Sequence, residues 1–148
     1  MTVHEPAAVL EFSDDLRPDD AAPLRAFLHA RLTEAADRQQ PGTEAEWAAR
    51  RLLQTTDYSA LFLCDLLTSW ADIVEAGRIG RPGATQQLRQ DVRTWWNHLC
   101  QTAERFSDHP DHLPRWRPLR HLCVAHAELA EQLTDGFSSG VYEGGAHP

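Results

Sequence analysis

The chain has 148 residues, 42% of them hydrophobic and five of them Trp, which fits one folded domain with a real core and is short for two. Its net charge of −8 argues against nucleic-acid binding by bulk electrostatics, because phosphate neutralisation needs a net positive face. No apolar run approaches the roughly 18 residues of a membrane span, and the opening residues lack a signal-peptide order, so a cytoplasmic location is expected.

All 14 basic residues are Arg. Residues 78–120 hold eight Arg against four acids, whereas residues 1–20 hold six acids and one Arg. That basic middle either forms a contact face or pairs with the acidic ends of the same fold. Three Cys, at 64, 100 and 123, give no disulfide framework and no Cys-x-x-Cys spacing.

In chain order, residues 1–18 read as a flexible acidic arm, with Val9, Leu10 and Phe12 as its docking groups. A first helix is predicted over about 20–39. Asp19 or Asp20 caps it, Pro23 fits its first turn, and Leu24, Phe27 and Leu28 share its buried face. Pro41-Gly42 ends it. Thr43-Glu44-Ala45-Glu46 is a capping box that opens a second helix. Residues 61–74 are apolar around more than half the circumference, which predicts the most buried element of the fold. The Thr55-Thr56-Asp57 cluster predicts an interruption, with Asp57 capping the second part.

Gly77 to Gly83 is the clearest loop. A third helix follows over about 85–106, with Leu88, Val92, Trp95, Leu99 and Phe106 near heptad spacing, which places Trp96 at the edge of the core. A fourth is expected over about 117–134, with Leu119, Leu122, His126, Leu129 and Leu133 on one face. Residues 136–148, rich in Gly and Ser, read as a disordered tail. No segment alternates with period two. The expected fold is all-α, an antiparallel four-helix bundle over 19–135 with flexible acidic termini.

Between the last two helices stands Asp108-His-Pro-Asp-His-Leu-Pro-Arg-Trp-Arg-Pro118, where three prolines exclude a regular helix. The motif resembles one carried after a long helix by an uncharacterised family of small actinobacterial proteins. Asp108, His109, Pro110, Asp111, Trp116, Arg117 and Pro118 match its D-H-P-D-x-x-x-x-W-R-P pattern. Ala26, Phe27, Leu28, Ala30, Arg31 and Leu32 match that family's A-F-L-x-A-R-L opening. The resemblance implies a lineage and brings no activity with it.

Two roles suit this segment. As a clasp, Asp108 forms an Asx turn, Trp116 covers the bundle end, and Arg117 pairs with Asp108 or Asp111. As a contact site, Trp96, Asp108, His109, Asp111, His112, Arg115, Trp116, Arg117 and Arg120 supply the Trp, Arg and His chemistry enriched at hot spots. A separate reading gathers His98, His109, His112, Cys123 and His126 as ligands for zinc or another transition metal, although their spacing matches no zinc template. Catalytic signatures are missing: there is no Gly-x-Ser-x-Gly, and Asp65 and Asp72 read as the solvated edge of a helix. The sequence therefore favours a non-enzymatic interaction or regulatory module without a cofactor. Its expected partner is a protein, with a second copy among the candidates, and metal or small-ligand binding is the alternative.

Overall fold

A computed structural model describes residues 10–75, 82–121, 128–129 and 131–133. A 3-10 turn at Ser13–Asp15 precedes three α-helices: α1 (Pro18–Asp37), α2 (Glu44–Glu75) and α3 (Pro82–Glu104). The described residues form no strand, only an isolated bridge between Phe12 and His121. The protein is all-α, and none of its described helices is long and apolar enough to cross a membrane.

Helix α1 starts two residues before the predicted point. Pro18 takes the first helical position, where its missing N–H costs nothing. The Asp20 carboxylate reaches back to the Arg17 N–H at 2.8 Å. At the far end Gly42 takes φ +80°, a left-handed conformation that glycine adopts without a Cβ clash. The Thr43 hydroxyl then accepts the Glu46 N–H at 3.2 Å, while the Glu46 carboxylate accepts the Gly42 N–H at 3.1 Å. The capping box forms, with its return bond one residue further out than the sequence suggests.

The expected break at 55–57 does not occur, and α2 is continuous over 32 residues. Thr55 and Ser59 satisfy their hydroxyls on the carbonyls four residues back, at 2.9 Å each, so they occupy the helix without opening it. Asp57 caps nothing. It reaches across to α1 and receives Arg25 Nε at 3.0 Å. Arg50 on α2 similarly reaches Asp37 of α1 at 3.2 Å. These pairings run in opposite order along the two helices, so α1 and α2 are antiparallel.

The core gathers Leu24, Phe27 and Leu28 from α1 with Ala60, Leu63 and Leu67 from α2. Helix α3 adds Val92, Trp96, Leu99, Cys100 and Ala103. Two expectations change here. Residues 61–74 are less buried than an apolar face over half the circumference predicts: Leu61, Phe62 and Val74 are exposed. On α3 the two indoles exchange roles. Trp96 is fully buried, while Trp95 sits partly buried at the edge against Phe62, with ring centroids 5.6 Å apart.

The expected acidic arm also changes. From Leu10 onward it lies against the helices, and Leu16 is fully buried. Ser13 Oγ donates to the Arg89 carbonyl at 3.1 Å, and Arg89 grips Asp14 through Nε and Nη2 at 2.8 and 3.1 Å. Val9, the third proposed docking group, lies outside the described residues. The predicted fourth helix does not begin at 117, since residues 117–120 are not helical. Residues 128–129 and 131–133 are helical, and Leu122 and His126 lie outside the described residues, as does the 136–148 tail.

Candidate functional site

The segment after α3 is a strap that fills the groove between α1 and α3. It first runs back along α1. Phe27 is the centre of this contact, with the rings of Phe106, His109, His112 and Trp116 around it at centroid distances of 4.9 to 6.4 Å. Three of the four pack edge-on, the geometry that an aromatic quadrupole favours. Arg31 stacks over the same ring from one side, 5.6 Å from its centroid, and also meets His109 Nε2. Further along, Arg115 Nη2 pairs with Asp20 at 3.0 Å. Asp20 thus both caps α1 and anchors the strap.

The strap then turns onto α3. Trp96 Nε1 donates to the Arg117 carbonyl at 2.9 Å. Asn97 accepts the Leu119 N–H at 2.6 Å and donates to the Leu119 carbonyl at 3.2 Å, acting as a one-residue strand partner for an otherwise unpaired backbone. Arg93 donates to the Arg120 carbonyl at 3.2 Å. At its end, the His121 carbonyl accepts the Ser13 N–H at 3.3 Å. Pro118 has no N–H to satisfy, which suits an extended run held from one side. Removing the Asn97 amide strands the buried Leu119 N–H, so Asn97→Ala should lower stability by about 1–3 kcal/mol in urea unfolding. A change below about 0.5 kcal/mol would mean that the amide clamp does not hold the strap.

The nine proposed contact residues therefore divide. Trp96 and Trp116 are core, and Arg115 is held by Asp20. His109 and His112 are half-buried against Phe27. Only Asp108, Asp111, Arg117 and Arg120 are exposed. The clasp forms through bonds other than those the sequence suggests. The turn at 109–111 is closed by His109 Nδ1, which accepts the Asp111 N–H at 3.0 Å, not by an Asp108 side chain. Arg115 with Asp20 supplies the ion pair expected of Arg117. Four nitrogens of this region, Arg31 Nε, His112 Nε2, Arg115 Nε and Trp116 Nε1, are buried without a hydrogen-bond partner among the described residues.

Of the proposed metal ligands, the three described ones divide. His98 is exposed and packs edge-on against Trp95, 6.3 Å between centroids, whereas His109 and His112 surround Phe27. Cys123 and His126 lie outside the described residues, and no group of three or more metal-ligating side chains occurs among those described. Burial pushes the Cys100 thiol up to about 12, so it stays protonated at neutral pH. Cys64 is shifted upward too, again chiefly by burial.

The sequence offers Trp47 as a contact residue beside the Arg of 115–120, but the structure places it with others on the outer side of α2. Trp47, Tyr58 and Phe62 are 70%, 63% and 47% exposed, and Leu61 is exposed with them. At about 100° per residue these four fall within a sector of about 100°. The signal was present in the apolar excess of α2, a helix with more large side chains than its one buried face can take. Trp47 also borders an open groove of about 630 Å³ between α1 and α2, with His29, Arg51 and Gln54 in its walls. A second groove of about 780 Å³ lies along the strap, between Leu10 and Glu104, and has Arg117 and Arg120 at its edge. The D-H-P-D-x-x-x-x-W-R-P resemblance rests on its own residues, since no family model, curated protein or solved structure matches the chain.

Proposed function

We propose that this protein is a non-enzymatic helical contact module, acting in the cytoplasm and meeting a protein partner through the outer side of α2. The observation that carries this reading is the exposed row of Trp47, Tyr58, Leu61 and Phe62 on a helix whose opposite side is core. Large apolar side chains clustered in the open are the usual mark of a contact surface, whereas scattered single ones are not. The reading moves the contact from the strap, whose aromatic groups are used in packing, to α2.

The test is a photoreactive phenylalanine derivative placed at Tyr58 of the full chain in living cells, with the same probe at exposed Arg105 as control. A discrete crosslinked product at position 58 and none at 105 is the expected result. Absence of any product at position 58 would overturn the reading.

A further inference from the structure

The outer side of α2 carries a pattern that names a partner. Arg51, Tyr58 and Asp65 are spaced by seven residues and all exposed, so they lie on one line along the helix. Arg51 stands about 10 Å before Tyr58 and Asp65 about 10 Å after it. Among the described residues Asp65 has no ion pair, and the Arg51 guanidinium is hydrogen-bonded only to Gln54 of the same face, at 2.9 Å.

We infer that this face binds the same face of a second copy of the chain, with the two α2 helices antiparallel and crossing at Tyr58. The inference rests on the contact-module reading and supplies its partner. A two-fold axis through Tyr58 brings each residue n before it opposite the residue n after it in the other copy. Arg51 then faces the partner's Asp65, and this pair forms twice. The apolar groups also find room. Trp47 faces the partner's Ser69, Leu61 faces the partner's Thr55, and Phe62 faces the partner's Gln54. Each of these positions is exposed in the single chain. Away from the axis, where Tyr58 meets its own copy, large therefore meets small or flexible, as close packing requires. A parallel arrangement would set Trp47 on Trp47 and Arg51 on Arg51, which like-charge repulsion disfavours.

The charge pairs set direction more than strength, because exposed ion pairs contribute only about 0–1 kcal/mol each. The strip from Trp47 to Ser69 is about 33 Å long and one helix wide. That is small beside the roughly 800 Å² per partner of a standard interface. The dimer is therefore weak and concentration-dependent.

Sedimentation equilibrium of the full chain between about 10 and 500 µM tests this, with circular dichroism to confirm folding of each variant. The mass should rise from 16.7 kDa toward twice that value. Asp65→Arg and Arg51→Asp should each weaken the dimer about tenfold or more. The double variant Arg51→Asp/Asp65→Arg should recover to within about threefold of the starting protein. A chain that stays monomeric at 500 µM overturns the inference. So does a dimer that ignores both single reversals, or one that the double variant does not restore. A monomer that still gives a position-58 crosslink to a different protein overturns the self-association and leaves the contact reading standing, whereas no crosslink at all removes that reading itself.

Discussion

Replacing Trp116 with Ala lowers the free energy of unfolding by about 3–5 kcal/mol, the range for truncating a buried aromatic. Trp116 is 4% exposed, and its ring lies 4.9 Å from that of Phe27, so its loss opens a void at the point where strap and α1 meet. Trp116→Phe is the informative companion. It keeps an aromatic ring in the cluster and deletes an indole N–H that has no partner among the described residues. It should therefore cost much less than the Ala variant. Urea unfolding followed by far-ultraviolet circular dichroism measures both without depending on the fluorophore being removed. A loss under about 1 kcal/mol for Trp116→Ala would show that the strap is an ornament on a self-sufficient three-helix core.

The second large effect separates the two sides of α2. Leu63→Ala should cost about 2–5 kcal/mol, because Leu63 is fully buried between the helices. Leu61→Ser, two residues away, should stay within about 0.5 kcal/mol, the usual range for an exposed position without special contacts. Measured at a protein concentration low enough to avoid association, the pair fixes which side of α2 is core. Equal costs would return α2 to the all-round burial that its composition suggests.

The residues that misled sequence reading did so for identifiable reasons. Periodicity places Leu24, Phe27 and Leu28 correctly, because no other large apolar side chain of α1 competes with their i, i+3, i+4 pattern. It cannot choose between Trp95 and Trp96, which are about 100° apart on a helix and each complete a plausible stripe. The choice is made by a tertiary partner, the Arg117 carbonyl, which only Trp96 reaches. Thr55-Thr56-Asp57 resembles a helix start because these side chains compete for backbone bonds. In α2 Thr55 bonds back along the helix, and Asp57 is drawn away by Arg25. Leu16 is hidden among acids in the sequence, whereas in the fold it is buried and Arg89 pairs with Asp14 two residues before it. Of the eight Arg in the basic middle of the chain, Arg89 and Arg115 pair within the fold, with Asp14 and Asp20.

For the candidate site, the motif was legible as a clasp and illegible as geometry. Three prolines announce that residues 108–118 leave the helix, but the ring they enclose belongs to Phe27, far away in sequence. The outer side of α2 shows the opposite case. Its exposed aromatics are plain in the sequence, yet nothing there says that they lack a cover, because exposure is decided by what the other helices leave unfilled.

The enclosure of Phe27 also sets an order of events during synthesis. Trp116 follows Phe27 by about 90 residues, which the ribosome takes about 5–18 s to add. The α1–α2 hairpin can pair within microseconds to milliseconds of emerging. For seconds, then, each nascent chain presents Phe27 as an unsealed aromatic surface beside Arg31, until the strap arrives and buries it. The same stretch that closes the finished molecule is the one whose absence leaves every unfinished copy adhesive.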